Sequence, residues 1–599
     1  MTTVPPRSAI APETTWNAPS VFATSAEWQA AASALADAIP TLQRFQDHVG
    51  DSAQSLLEAL TAQETASMPL GKLFTYGIMA SNVDTADAEA ATMFGQARGL
   101  YGRFMATVAY LEPEILAIGQ DRLQTWMQEE PRLAIYAHYF DNLFRKQAHV
   151  RSAEVEEVLG LATEPLFGFS AIENVLVNAE MSFAPATSSA GESIAVFQGN
   201  LDTLVTNPDR EIRRTAWESY ADGYLAHKQT LATNLTGAVQ RDVFFARARR
   251  YPSALEAALF ENNIPPAVFR NVLETYQRHV PTWHRYWEVR RRALKVEKLH
   301  SYDVQVPLSS ASPTIPYATA VDWISAGLRP LGEDYVAILR QGCLQDRWVD
   351  RSPNQNKTSG AFSSGSPGTF PFILMSYDDT ILSMSTLAHE LGHSMHSYLA
   401  WQTQPLIYCD YSLFVAEVAS NFHQAMVRAH LFRTNPDPAF QLAVIDEAMN
   451  NIHRYFFVMP TLARFELEMH ERIERGESPS ADTLNGLMAD LLAEAYGPAV
   501  EVDRARDGIT WAQFGHLYAN FYVYQYTTGI SAANTLAEKV LSEGPEAAEH
   551  YRAFLQAGSS LYPIDALKLA GVDMTTPEAV ERTFGVLAGL VERLEQLVG

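Results

Sequence analysis

The chain has 599 residues, 47% of them hydrophobic and 19% charged, which is long enough for two to four packed subdomains and ordinary for a globular protein. Its formal net charge of −25 opposes non-specific binding to nucleic acid or anionic lipid. Two cysteines, Cys343 and Cys409, exclude a disulfide framework, and neither a signal peptide nor a bilayer-spanning apolar run is visible, so a cytoplasmic protein is expected.

In chain order, residues 1–25 are rich in Pro, Thr and Ala and read as a flexible arm. From residue 26 the sequence reads as successive helices, among them 56–66, 87–111 and 153–161, until Glu164-Pro165 and Gly168 break the pattern. The stretch 183–191 carries a turn or short-hairpin signal. A second helical series opens with Asp209 as N-cap for 210–225 and continues through 229–249, the segment after Pro265-Pro266, and 281–299. Arg290-Arg291-Arg292 in the last of these reads as a solvated helix face rather than a binding patch. Residues 301–308 look extended and 323–345 helical. A long Ser/Gly/Pro/Asn loop, 350–368, precedes an apolar run, 369–377, suited to a buried or edge strand. Such a loop leading into an edge strand can pair with the backbone of an extended peptide; the plainer alternative is a connector and a core strand.

Next comes His389-Glu390-Leu391-Gly392-His393. On a helix, residues four apart share a face roughly 6 Å apart along the axis, so the two imidazoles can converge on one ion. Glu390 then sits beside the ion, where a carboxylate can take a proton from activated water. Met384, Leu387, Leu391, Met395 and Tyr398 supply one apolar helix face, and Asp378, Asp379 and Thr380 supply capping chemistry. With 16 histidines in the chain the pattern arises by chance on the order of 0.03 times. The competing reading is two surface histidines on an amphipathic helix.

A catalytic zinc needs a third protein ligand and one open position. His396 lies about 10 Å along a straight helix from His389, too far to share its ion. Glu417, in the otherwise apolar Phe414-Val-Ala-Glu-Val-Ala419, is the better candidate, because a carboxylate there is costly to bury without a cation. Asp410 and Glu447 are rivals in more polar or turn-like settings. Further on, 440–475 and 481–495 read as helices, Tyr496-Gly497-Pro498 breaks the chain, and an aromatic cluster follows that holds His516, Tyr518, Tyr522, Tyr524 and Tyr526. A His and a Tyr hydroxyl can donate to the oxygen on which amide hydrolysis builds charge, although tyrosines so spaced are commonly helix packing. The last 55 residues, from Pro545, return to helix.

With these residues in hand the chain resembles the oligoendopeptidase F family of the thimet-type zinc oligopeptidases. The segments that carry the resemblance are Asp209-Arg-Glu-Ile-Arg-Arg214, Ala246-Arg-Ala-Arg-Arg-Tyr-Pro-Ser-Ala-Leu255, Ser359-Gly-Ala-Phe362, Pro371-Phe-Ile-Leu374, 389–397, Phe414-Val-Ala-Glu-Val-Ala-Ser420, Phe521-Tyr-Val-Tyr-Gln-Tyr526 and Ala557-Gly-Ser-Ser560. It implies an all-α, predominantly helical fold with a small β element near the active site, a two-lobed zincin-like body with a deep central channel. It divides the chain into the arm 1–25, an N-terminal oligopeptidase F-type domain 26–205 and a zinc metallopeptidase catalytic domain 206–599. One Zn2+ per chain is implied, in the gluzincin arrangement, with His389, His393 and Glu417 as ligands. The resemblance makes Glu390 the catalytic base and His516 and Tyr526 transition-state donors. Gly360, Ala361, Phe362 and Tyr522 would contact substrate. The implied function is endopeptidase cleavage of short unstructured peptides, with neither nucleic acid nor membrane as partner and no oligomeric state specified. An exopeptidase on the same scaffold and a non-catalytic peptide-binding protein are the alternatives. One position departs from the family pattern: Gln424 stands where a Glu is usual, seven residues after Glu417, and brings a hydrogen-bond acceptor without charge.

Overall fold

Apolar residues at three- and four-residue spacing make helix of most of the chain. The computed structural model describes residues 4–309 and 313–599, and among these no strand exceeds three residues. The chain forms two compact units, each assembled from three separated pieces: Met1–Ala148, Thr314–His430 and Lys539–Gly571 in the first, and His149–Pro313, Leu431–Glu538 and Val572–Gly599 in the second. The compact units therefore cut across a linear division at residue 205.

In the first unit, helices Ser25–Ala38, Ala53–Val83 and Ala88–Val108 close on a core that includes Trp28, Leu56, Leu60, Leu73, Ala97, Phe104 and Ile115. The helix expected over 56–66 is far longer. Ser52 caps it by accepting from the Ser55 N–H at 3.1 Å, and it runs on through Pro69 because Leu70 and Leu73 are buried beyond the missing hydrogen bond.

The expected flexible arm is packed over its described residues, and Met1–Thr3 lie outside them. Arg7 makes a forked pair with the buried Asp350 carboxylate at 2.5 and 3.0 Å. The Asn17 N–H donates to the Arg347 carbonyl at 2.8 Å, and Trp16 is buried beside Phe372. The arm thus joins one side of a three-stranded sheet ordered Val349–Asp350, Phe372–Leu374, Phe362–Ser364. The middle strand pairs parallel with the first and antiparallel with the last. The apolar run 369–377 therefore contains the central, fully buried strand, Phe372–Leu374, and the edge strand comes from within the preceding loop. Cys343 and Cys409 are both buried and free.

In the second unit, a hairpin of Ala186–Thr187 and Ser193–Ile194 lies against helix Arg210–Ala226, which Asp209 caps as expected by accepting from the Glu211 N–H at 2.9 Å. A single helix, Pro266–Ala293, replaces the two segments expected around Pro281. Val280, Trp283, Tyr286 and Trp287 are all buried on either side of that proline, and their packing outweighs one lost hydrogen bond. Of the triple arginine, Arg290 is buried and donates to the Asp303 carbonyl at 3.0 Å and to the Val306 carbonyl, while Arg291 and Arg292 pair with Glu288 and Glu595. The solvated-face expectation fails at Arg290 because its guanidinium satisfies carbonyls of the irregular segment 303–306. A π-helical stretch, Arg454–Val458, joins helices Pro438–His453 and Met459–Glu474.

Candidate metal centre

Thr380 opens the helix Ile381–Thr403 by accepting from the Ser383 N–H at 3.1 Å, with Asp378 bracing the Thr380 hydroxyl at 2.6 Å. Met384, Leu387, Leu391 and Met395 bury the face expected of them. The opposite side of the same turns carries His389 and His393, whose Nε2 atoms lie 3.3 Å apart. Helix Leu413–Thr434 brings up Glu417, with its Oε2 3.4 Å from His389 Nε2. Gly392 makes this approach possible: a Cβ there would lie 2.4 Å from the Ala419 carbonyl oxygen and 2.5 Å from Ser420 Cα.

The outer ring nitrogens are also engaged. His389 Nδ1 lies 3.1 Å from Gln424 Oε1, and Gln424 Nε2 donates to Ser385 Oγ at 2.8 Å, which turns the amide oxygen toward the ring. His393 is hydrogen-bonded to the Ala416 backbone. Burial, together with the His389 charge, holds His393 down at about 4, so its ring is neutral near pH 7. Two imidazole nitrogens and a carboxylate oxygen thus face one another at van der Waals separation. That arrangement fits a cation: two nitrogens about 2.05 Å from a tetrahedral ion lie about 3.3 Å apart. His389, His393 and Glu417 are the one such donor group among the described residues, and neither Asp410 nor Glu447 belongs to it.

Glu390, buried beside the donors, accepts a hydrogen bond from the Ser363 backbone N–H of the edge strand. Burial pushes its carboxyl up to about 7; the His389 charge opposes the rise and Glu417 adds to it. Ser363 Oγ further bonds Ser394 Oγ at 2.8 Å, fixing strand to helix. His396 is a packed histidine: its ring stacks on Tyr411 at 3.6 Å, and burial drives it down to about 3. Gly360 has φ +88° and is exposed, Ala361 is half-buried, and Phe362 begins the edge strand.

The family model for "Peptidase family M3" matches residues 203–586, and that for "Oligopeptidase F" matches 114–183. The chain belongs to peptidase family M3. The Bacillus subtilis oligopeptidase PepF is 37% identical over 99% of this chain and 89% of its own length. The group B oligopeptidase PepB of Streptococcus agalactiae is 34% identical over 99% and 98%. Among solved structures, a chain from Chlamydophila abortus superposes with TM-score 0.90 at 31% identity, covering 99% of this chain and all of that one. The oligoendopeptidase F of Enterococcus faecium gives 0.75 at 29%, covering 96% and 99%. M3 peptidases are metallopeptidases, and this chain is a metalloendopeptidase acting on peptides. None of its described helices is long and apolar enough to cross a membrane.

The remaining M3 site candidates lie in the second unit. His516 is on a short turn, Gly515–Tyr518, with its ring parallel to that of Tyr522 at 6.1 Å and edge-on to Tyr526 at 5.8 Å. The Tyr522 and Tyr526 hydroxyls are 2.9 Å apart, and Tyr526 stacks on Tyr455 at 5.1 Å. Burial, with help from the Arg454 charge, lowers the His516 pKa. Sequence reasoning passed over Gly392, Ser363, Tyr411 and Tyr455. A glycine inside an amphipathic helix signals a close backbone approach. The other three act through contacts with distant segments and leave no local mark.

Proposed function

We propose that this metalloendopeptidase is zinc-dependent, with one ion per chain held by His389, His393 and Glu417, and that it cuts internal bonds of short unstructured peptides. The observation that carries the reading is the trio of donor atoms at 3.3 and 3.4 Å with a buried carboxyl beside them. The oligopeptidase and oligoendopeptidase names of its relatives support the substrate class. When bound, zinc supplies a Lewis acid that polarises the scissile carbonyl and acidifies water.

Glu390 is the general base. It takes the proton of the attacking water and returns it to the leaving nitrogen, and the Ser363 N–H holds its carboxylate in place. His516 and Tyr526 donate hydrogen bonds to the oxygen that gains charge. The backbone of Gly360, Ala361 and Phe362, at the open side of the edge strand, pairs with an extended substrate, and Tyr522 contacts it from its own loop. The matches at 114–183 and 203–586 support an N-terminal domain over 26–205 and a catalytic domain over 206–599. Two free cysteines favour the cytoplasm, which cell fractionation tests.

The deciding experiment is Glu390→Gln assayed on a quenched fluorescent peptide blocked at both ends. The variant keeps its zinc by elemental analysis and loses at least ~10²-fold in rate. Near-parental turnover would remove Glu390 from its role. Glu417→Ala is expected to lose zinc on mild dialysis, and unchanged stoichiometry would reject it as a ligand.

A further inference from the structure

Glu466, on helix Met459–Glu474, takes no part in the chemistry above and is 2% exposed. Its Oε1 accepts the backbone N–H of Phe521 at 2.8 Å. One turn along, His470 bonds the Glu466 carbonyl through Nδ1 at 2.9 Å, and its ring lies 4.4 Å from that of Phe521. His470 Nε2 faces Asp242 Oδ2 at 3.7 Å. Asp242 in turn pairs with Arg241 at 2.8 Å, and Arg241 donates to the Tyr518 carbonyl at 3.0 Å. Asn234 reaches the Tyr518 hydroxyl at 3.0 Å. Buried polar side chains therefore grip residues 518–521 from two helices.

This grip coincides with an unusual backbone. Phe521 has φ +47°, a left-handed conformation that a bulky L-residue keeps only where its surroundings impose it. Its ring is buried, edge-on to Phe269 at 5.5 Å. Immediately before this reversal come His516 and its turn. Immediately after it comes Tyr522, and then helix Tyr524–Glu543 with Tyr526. The reversal thus determines how the two tyrosines face the histidine.

The polar cluster is expensive. Asp242 Oδ2, Glu466 Oε2 and His470 Nε2 are buried without a hydrogen-bond partner, where apolar side chains would pack at no such cost. Burial, and secondarily the Asp242 charge, raise the Glu466 carboxyl well above the ordinary range, while the Phe521 N–H bond pulls the other way.

We propose that Glu466 is a positioning residue: its carboxyl oxygen holds the Phe521 N–H and thereby fixes the reversed turn that sets Tyr522 and Tyr526 against His516. The proposal rests on His516 and Tyr526 being the hydrogen-bond donors of the reaction. What Glu466 contributes is an acceptor at a given reach, not a charge.

Two variants separate reach from charge, each measured for kcat, KM, zinc content and melting temperature on the blocked peptide. Glu466→Gln keeps an oxygen at the same reach, so kcat stays within about threefold of the parent. Glu466→Asp withdraws the oxygen by one methylene, so kcat falls roughly 10- to 100-fold while KM stays within about twofold and zinc content is unchanged. Parental kcat in Glu466→Asp overturns the proposal, as does a rise in KM alone. So does a fall in Glu466→Gln as deep as in Glu466→Asp with zinc and melting temperature intact. Hydrogen exchange on the unmutated protein gives a check that needs no variant to fold: the Phe521 amide must be protected like a buried helical amide, and fast exchange rejects the bond. His516→Ala tests the donor assignment separately. Unchanged kcat there overturns that assignment whatever Glu466 does, whereas a fall there beside a parental Glu466→Asp overturns the positioning role alone.

Discussion

Gln424 gives His389 an acceptor that carries no charge. Its amide oxygen 3.1 Å from Nδ1 keeps the proton on that nitrogen and leaves the Nε2 lone pair for the proposed ion, and Ser385 keeps the amide from turning over. Gln424→Ala should weaken zinc binding by roughly 10- to 100-fold, read by competition with a chromogenic chelator. Gln424→Glu should tighten it, because a carboxylate makes the imidazole a stronger base; an affinity equal to the parent's in both variants would strip the residue of this role. At this scale much was legible in the sequence. The shared helix face of His389 and His393, with Glu390 beside it, was readable from helical spacing, and the approach of Glu417 to it from an acid in an apolar run. The left-handed Phe521 and the buried Arg290 were not legible, because the first is held by Glu466, 55 residues away, and the second by carbonyls 13 and 16 residues on, in an irregular segment without periodicity.

The close packing of helices Ile381–Thr403 and Leu413–Thr434 depends on Gly392. A methyl group there would meet backbone at 2.4 to 2.7 Å, atoms that have no rotamer by which to retreat. Gly392→Ala should therefore push Glu417 away from the imidazoles. It is expected to cost ~3 kcal/mol, the upper end of ordinary overpacking, in denaturant unfolding. Zinc affinity should fall at least about tenfold in the same preparation, since Glu417, the proposed third ligand, would no longer reach. Full affinity in a folded Gly392→Ala would mean that the helices adjust independently of the site. Helix existence was readable from periodicity, and helix ends less so. A linear reading ends one helix at 66 and splits another at Pro281, yet buried Leu73 and Trp283 carry the helices through Pro69 and Pro281. The edge strand was hidden inside a loop because Phe362–Ser364 becomes a strand only by pairing with Phe372–Leu374.

Each compact unit draws on three separated stretches of chain, so stability cannot be apportioned along the sequence, and no periodicity could have announced that arrangement. Buried titratable groups give the second unit a pH signature. His453 is enclosed by Trp283, Trp287 and Phe457. Burial, and secondarily the Arg290 charge, hold its pKa down at about 3. Its folded pKa lies below the ordinary 6.5, so the unfolded chain binds the extra proton first. The contribution is fully present above pH 6.5 and is lost as pH falls from there toward 3. His453→Phe should flatten this acid limb, with melting temperature dropping less between pH 7 and 4.5 than in the parent by on the order of 2 °C or more. Identical slopes would assign the acid sensitivity to other groups.

Cys343 and Cys409 have a practical consequence. Both thiols are shut away from solvent, and burial pushes each up to about 12, so neither presents a thiolate at physiological pH. Alkylating agents and mild oxidants should leave native activity intact, while chelators abolish it. In a crude extract that pair of responses distinguishes this activity from papain-like peptidases, and purification needs no reductant to keep the enzyme alive.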